Sequence, residues 1–543
     1  NILRAAILLM ETGSSSLYLA RSIRARSPYL PFVESFIFPP SSQSLVFYSE
    51  FLSVEYHPPG VLSRRKSEYA VQGYLGVFYG SETRHYQRRI YSYINRFCYP
   101  VYRLFYRIFL SQSFGEESVG LYQLIFPVYA LCFSLCCAGI ETAVARNVAA
   151  SSSLGDKKGR LYFYNCGLFL SFLPSCIMML LMQKEADFIA SFFLGEPRCA
   201  PLLIIISYAM PFAAVHSCIC GYYIGLKDKD TSISQLVEQI ARVCSVFFLY
   251  RYFMERSLSA GISLAAVGLV MGEIFPPFFL STLFVRKGRR FFLLLQFFLK
   301  SRAAGETGMR ALLQTSLPLT GNRVLLNILQ STEAVSIPAK LQIFGFSVSD
   351  SLSIYGVLTG MALPCILFPS AITNSISTML LPAVAEIQLA EAQKSFGSDP
   401  ESLLLLFALG LACCFAFLLF GQLAGELLFH SQMAGQFIIT LAWICPFLYT
   451  NSTLLSVING LGKANISFLL NTAGLLLRIA SVLFMIPLSG IRGYLWGLLI
   501  SQGTVFFYAL YIFGSTYHPY AKGEQGIKFF LHPLLSFLIH MKI

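Results

Sequence analysis

Charged residues are scarce in this sequence. Only 12% of its 543 residues are Asp, Glu, Lys or Arg, whereas 55% are hydrophobic. A soluble domain of this length needs far more polar residues to cover its surface. The hydrophobic residues come in repeated continuous blocks long enough to cross a bilayer, and continuous blocks exclude the alternating strands of a membrane barrel. Helices satisfy their own backbone hydrogen bonds in lipid, so the composition predicts an all-α polytopic membrane protein.

Metal-binding and catalytic motifs are also missing. The 14 cysteines lie mostly inside apolar blocks, as at Cys136 and Cys413, and lack metal-ligand spacing, which is typical of small packing residues. Only His216 of the seven histidines falls within an inner predicted span, and no carboxylate pair or His–carboxylate motif stands in a sizeable loop. A membrane-embedded glycosyltransferase or acyltransferase needs such groups near the interface. We therefore expect neither an enzyme nor a bound cofactor or metal.

The positive net charge of +13 has a topological explanation. The basic residues concentrate in short loops between apolar blocks, where positive charge sets orientation, so we expect no binding of nucleic acid. Arg146, Lys157, Lys158 and Arg160 flank the second loop, and the sixth is the basic linker 286–302. Even-numbered loops are thus predicted to be cytoplasmic. This places the N-terminus on the cytoplasmic side of the membrane.

Thirteen spans can be placed from the apolar blocks. They lie near residues 92–112, 120–147, 160–183, 199–225, 232–254, 259–285, 310–338, 351–385, 401–428, 436–461, 466–488, 491–515 and 526–541. Internal prolines lack a backbone N–H and predict kinks in several of them. These prolines are Pro127, Pro174, Pro211, Pro364, Pro369 and Pro446.

The same pattern divides the chain into five segments. Residues 1–90 mix Ser, Pro, Tyr and Arg without sustained periodicity, and we interpret them as a disordered tail or a gene-call artefact. Deleting them is expected to leave membrane insertion and activity largely intact. The other segments are an N-terminal six-helix lobe at 91–285, a basic cytoplasmic linker at 286–305, a C-terminal six-helix lobe at 306–516 and an additional helix at 517–543. A fourteenth helix beyond Ile543 is a further expectation.

An internal repeat relates the two lobes. Pro211 precedes Gly225 by the same interval that separates Pro446 from Gly460, and the segment beginning at Arg242 matches that beginning at Arg478. These pairs are offset by 235 and 236 residues. Each repeat crosses the membrane an even number of times, which predicts a parallel repeat around a central cavity with alternating access. A structural duplication without transport is the alternative.

Several motifs resemble one family over roughly residues 103–541. The segments are Tyr106–Leu110, Gly120–Gln123, Ser316–Arg323, Tyr355–Pro364 and Leu380–Ala383. They are similar to the stage V sporulation protein B branch of the oligosaccharide flippases, within the multidrug/oligosaccharidyl-lipid/polysaccharide exporter superfamily. The resemblance implies two pseudo-symmetric six-helix bundles with one or two extra C-terminal helices. It also implies an undecaprenyl-linked saccharide or peptidoglycan precursor as substrate, with membrane lipids and envelope-synthesis proteins as partners.

Charges inside the predicted spans are the candidate functional residues, because each needs a partner or a wet cavity in lipid. Arginine suits a phosphate head group, since its planar donors match phosphate oxygens and its charge is permanent. The cavity candidates are Arg107, Arg323, Glu333, Arg103 and Asn374. Candidates for ion pairs or coupling are Glu141, Glu238, Arg242, Glu273 and Arg478. Glu238–Arg242 and a Glu333–arginine pair have an equally simple interpretation as self-neutralising ion pairs.

Two transport functions compete at this point. A cation-coupled multidrug extruder needs a strongly acidic intramembrane cluster, whereas a flippase for an anionic lipid needs basic residues. The arginines match the glutamates in number, which favours the anionic substrate. The coupling ion, Na⁺ or H⁺, or coupling to the membrane potential, is left open.

Overall fold

The computed structural model describes residues 100–226, 230–257, 261–286, 305–370, 373 and 400–517. This part of the chain is nearly all helical and contains no strand. We label its principal helices in chain order. They are α1 (100–114), α2 (Glu116–Ser153), α3 (Lys157–Lys184), α4 (Pro197–Gly225), α5 (Asp230–Glu255), α6 (Ser263–Arg286), α7 (Gly305–Phe344), α8 (Val348–Leu367), α9 (Pro400–Phe429), α10 (Gln432–Gly460), α11 (Ala464–Phe484) and α12 (Ile491–Tyr517).

These helices confirm the all-α polytopic fold class. Eight of the described helices are long and apolar enough to cross a membrane, and the bent pair that forms α4 makes nine. The remaining labelled helices, α1, α5 and α7, hold most of the arginine and glutamate candidates. The predicted span near 526–541 and the last part of the predicted span 351–385 lie outside the described residues.

Proline positions coincide with most of the breaks in these helices. In α2 the helix is interrupted at Ile125, two residues before Pro127, and α4 bends by 46° next to Tyr208, three residues before Pro211. A short 3₁₀ segment ends immediately before Cys445 and Pro446 in α10. Proline cannot donate the i→i−4 hydrogen bond, so the preceding turn loosens. Pro174 is an exception, because α3 continues through it, and α6 and α7 likewise continue through Pro276, Pro277, Pro318 and Pro338.

The helices pack largely within two groups, the first half (α1–α6) and the second half (α7–α12). In the first half, α2, α3 and α4 pack together and α6 lies between α4 and α5. In the second half, α11 packs on α7 and α12, and α10 on α9 and α12. The halves meet where α2 packs on α7 and α8. The exact lobe boundaries stay predictions, since 287–304 lies outside the described residues.

Glycines allow a close approach between the halves. A Cβ atom on Gly120 of α2 would collide with the carbonyl oxygen of Leu352 in α8. A Cβ atom on Gly356 would collide with the carbonyl oxygen of Glu116 and lie 2.6 Å from the Gly120 nitrogen. Backbone packs directly on backbone at this crossing, so no side chain can rotate to relieve the collision.

Replacing Gly356 with alanine is therefore expected to destabilise the packing of α2 on α8. Overpacking of this kind costs about 1–3 kcal/mol. The midpoint of thermal unfolding in detergent should fall for Gly356→Ala. Gly321→Ala in α7 is the matched control, because a Cβ atom there meets nothing within 4 Å. Equal unfolding midpoints for the two variants would contradict the direct backbone packing of α2 on α8.

Candidate functional site

Arg107 lies at the junction of the two halves. It sits on α1, one turn before Ser111, whose hydroxyl donates to the Phe429 carbonyl at the end of α9 at 3.3 Å. The adjacent Gln112 side chain donates to the Leu428 carbonyl at 2.8 Å. These bonds fix α1 against the second half. The Arg107 guanidinium carbon lies 5.8 Å from the centre of the Phe126 ring on α2, so the arginine faces the first half as well.

The Arg107 side chain is buried without a neutralising partner. Its residue is only 8% exposed, and among the described residues its Nη1 has no hydrogen-bond partner and it forms no ion pair. It interacts electrostatically with Tyr106 and Tyr122, whose buried hydroxyls interact with each other and have no further hydrogen-bond partner within the described part of the chain. We call Tyr106, Arg107 and Tyr122 the Arg107 group. It presents buried hydrogen-bond donors and one full positive charge, which suits an anion.

A second group of charges lies inside the first half. Arg242 on α5 contacts Glu238 on the same helix at 2.7 Å and Glu273 on α6 at 3.7 Å. His216 on α4 lies 3.9 Å from the same Glu273 carboxylate. We call His216, Glu238, Arg242 and Glu273 the first-half cluster. Gly272 makes room for it, because a Cβ atom there would lie 3.1 Å from the Arg242 Nε.

Glu141 and Arg323 face each other across the junction between the halves. Glu141 on α2 accepts a hydrogen bond from Ser217 on α4 at 3.2 Å. It also interacts electrostatically with Arg323 on α7. One turn after Arg323, the Asn327 side chain donates to the Ala130 carbonyl of α2 at 3.3 Å, so this face of α7 is directed at α2. The Arg323 side chain is exposed, unlike that of Arg107.

The second half contains its own ion pair. Glu333 on α7 lies 3.2 Å from the Arg478 guanidinium on α11 and accepts a hydrogen bond from the Tyr494 hydroxyl on α12 at 2.9 Å. We call these three residues the second-half cluster. The Glu333 side chain is 8% exposed and the Arg478 side chain 24%. Arg242 and Arg478, which match in the repeat, therefore each contact a glutamate from another helix.

Comparison with known proteins identifies the family. Residues 101–388 match the model of the polysaccharide biosynthesis protein family. The chain belongs to this family, which confirms the resemblance drawn from its motifs. Stage V sporulation protein B of Bacillus subtilis is 27% identical over 396 residues, covering 71% of this chain and 75% of that protein.

Solved structures share the fold. The inward closed conformation of the lipid II flippase MurJ aligns with a TM-score of 0.60 at 14% identity, over 83% of this chain and 97% of that one. The inward-facing conformation of a MATE family multidrug resistance transporter aligns with a TM-score of 0.58 at 17% identity, over 78% and 97% of the two chains. At these identities the likeness concerns the fold alone.

The predicted site residues of this family member fall into three sets. The structure brings together Glu238 with Arg242 and Glu273, and Glu333 with Arg478. It also places Glu141 within electrostatic range of Arg323. It places Arg107 in a buried position and leaves Arg103, one turn earlier on α1, exposed. Asn374 lies outside the described residues. Their roles in binding a substrate stay predictions.

Several site residues escaped the sequence analysis. Tyr494 carries no distinguishing signal in the sequence, and the Glu273–His216 contact joins two helices far apart along the chain. Tyr106 could have been noticed, since it is adjacent to Arg107. Asn451, a polar residue within the predicted span 436–461, donates to the Gln502 carbonyl at 3.0 Å and thus joins α10 to α12. Within the described residues, no group of three or more His, Cys, Asp and Glu side chains could hold a metal ion.

Proposed function

We propose that this protein is an alternating-access flippase for an undecaprenyl-linked oligosaccharide or peptidoglycan precursor. It would move this lipid across the bacterial cytoplasmic membrane for cell-envelope synthesis. The observation that carries the proposal is the buried guanidinium of Arg107, which forms no ion pair within the part of the chain that the structure describes. A permanent charge buried there without a carboxylate partner among the described residues calls for an anionic ligand.

The chemistry of the substrate fits this position. A lipid-linked saccharide carries a phosphate or diphosphate between its sugar and its polyprenyl chain. The Arg107 guanidinium would bind two phosphate oxygens through parallel N–H donors, while the Tyr106 and Tyr122 hydroxyls supply further hydrogen bonds. Because Arg107 lies against Phe126 of α2 and interacts electrostatically with Tyr355 of α8, a relative rocking of the halves would change which side of the membrane can reach it. Arg323, on the α2-facing side of α7, would meet the phosphate from the second half.

The comparisons support a transport role without defining the substrate. One structural neighbour is described as a lipid II flippase and another as a multidrug transporter, and this chain shares their fold. Membership of the polysaccharide biosynthesis protein family favours the saccharide. No catalytic step is proposed.

Transport can be measured with the full chain in proteoliposomes. We expect a fluorescent undecaprenyl-diphosphate-linked saccharide to exchange between leaflets faster than in protein-free vesicles. The same saccharide on neutral undecaprenol should not be accelerated, because it lacks the phosphate that Arg107 would bind. Equal acceleration of both lipids would contradict the proposal. Accumulation of a lipophilic cation instead would support a drug extruder.

The proposed orientation places the N-terminus and the linker 286–302 in the cytoplasm. In intact cells expressing an otherwise cysteine-depleted variant, Gly288→Cys should resist a membrane-impermeant maleimide and react after permeabilisation. The expectation rests on the basic residues of the linker, because positively charged loops stay on the cytoplasmic side of a membrane. Labelling of position 288 from outside would show that the orientation is opposite to the one proposed.

A further inference from the structure

A histidine lies deep inside the membrane helices of the first half. His216 on α4 is 8% exposed. Its Nε2 lies 2.7 Å from the Ser234 hydroxyl on α5, and its Nδ1 lies 3.9 Å from the Glu273 carboxylate on α6. The imidazole is thus hydrogen-bonded to α5 at one nitrogen and faces a carboxylate of α6 with the other. Histidine is the one side chain whose ordinary titration range spans neutral pH, so this position can gain or lose a proton under physiological conditions.

The surrounding charges determine whether the proton is bound. The titratable groups that interact with His216 are Cys220 on its own helix, Glu141 on α2, Glu238 on α5 and Glu273 on α6. These carboxylates interact in turn with Tyr129 on α2, Arg242 on α5, Arg103 on α1 and Arg323 on α7, and Arg107 on α1 interacts with Arg242. Arg103 and Arg323 are exposed and are therefore not counted among the buried charges. The largely buried charges are therefore three glutamates and two arginines. A proton on His216 neutralises this set.

We propose that His216 and Glu273 form a proton-binding site that is coupled to substrate binding at Arg107. This inference rests on the proposed flippase function for its physiological meaning, but the site itself does not. An uncompensated charge inside a membrane protein is costly, and a bound proton removes it. The site joins α4, α5 and α6, and none of its members belongs to the Arg107 group.

Coupling follows from the position of Arg107. Arg107 interacts electrostatically with Arg242, which in turn contacts both glutamates of the first-half cluster. When an anionic phosphate binds to Arg107, it cancels one of the two buried positive charges, and the remaining set becomes more negative. Protonation of His216 then becomes more favourable. By thermodynamic reciprocity the proton must strengthen the binding of the anion by the same factor.

The protonation state of His216 can be measured directly. In the full chain labelled with ¹³C-histidine in detergent, the His216 signal, assigned by its loss in His216→Gln, should have imidazolium shifts near pH 7. Glu273→Gln should convert it to neutral imidazole, because the facing carboxylate is gone. His430→Asn is the control, since His430 is exposed in the turn between α9 and α10, and asparagine tolerates its positive φ of 54°. A neutral His216 signal in the native chain near pH 7 would overturn the site.

The coupling has a separate readout. Adding undecaprenyl phosphate to weakly buffered protein with a pH-indicator dye should give a net proton uptake that His216→Gln and Glu273→Gln lose and His430→Asn retains. If the lipid binds with identical proton uptake in all variants, the coupling is wrong. If the lipid does not bind at all, the proposed substrate fails, while the histidine signal still decides whether the proton site exists.

Discussion

Replacing Arg107 with alanine is expected to reduce transport of the lipid-linked saccharide by roughly 10- to 100-fold while leaving the protein inserted. A hydrogen bond to a charged group contributes about 1.5–3 kcal/mol, and each 1.4 kcal/mol corresponds to a factor of ten. Arg107→Lys should restore transport only in part, since lysine offers a point charge in place of two parallel donors. The proteoliposome assay measures the rate, with the amount of reconstituted protein determined by blotting.

Two other arginines provide matched controls for this experiment. Arg103→Ala removes the same charge from the same helix at an exposed position one turn earlier, and Arg146→Ala removes an exposed charge from α2. The sequence predicts Arg103 to be a cavity residue, but its exposure leads us to expect that Arg103→Ala transports at close to the native rate. We expect the same of Arg146→Ala, apart from effects on orientation or expression. The Arg107→Ala, Arg323→Ala double variant should be at least as impaired as Arg107→Ala. Normal transport by this double variant at native abundance would remove the main support for an anionic substrate.

The hydrophobic blocks of the sequence predicted the positions of the described helices with few differences. The predicted span near 232–254 corresponds to Asp230–Glu255, and that near 466–488 covers most of Ala464–Phe484. The largest difference is α7, predicted at 310–338 and observed at Gly305–Phe344. Its 40 residues extend about 60 Å, twice the thickness of the hydrocarbon core. Hydropathy marks only the part of a helix that crosses lipid, so polar helix ends escape it.

Pairing between charges was predictable only within one helix. The spacing of Glu238 and Arg242 is enough to place both side chains on one face, and their 2.7 Å contact follows. Nothing in the spacing of Glu333 and Arg478 indicates their contact, because it depends on how α7 packs against α11. The same holds for the contact of His216 with Glu273. Burial likewise separates Arg107 from Arg103, which the sequence could not distinguish.

Truncating Glu333 to alanine is expected to destabilise the fold by about 3 kcal/mol. Removing one partner of a buried ion pair typically costs about 3–5 kcal/mol, since the other charge stays buried and unpaired. We expect the lower end because the Arg478 side chain is 24% exposed. Unfolding of the purified protein by heat or denaturant in detergent would measure the change. The Tyr494 hydroxyl also loses its acceptor in this variant.

The Glu333→Gln, Arg478→Met double variant distinguishes the loss of the ion pair from the cost of leaving one charge buried without its partner. Both charges disappear together, and glutamine keeps an acceptor for the Tyr494 hydroxyl, so stability should largely recover. Arg251→Ala is the matched control, because Arg251 contacts Glu255 at 2.8 Å with side chains 70% and 63% exposed. Such an exposed pair contributes about 0.3–0.5 kcal/mol. If Glu333→Ala abolishes transport at native stability, the second-half cluster is not a structural pair, and Glu333 returns to the substrate site that the sequence predicted for it.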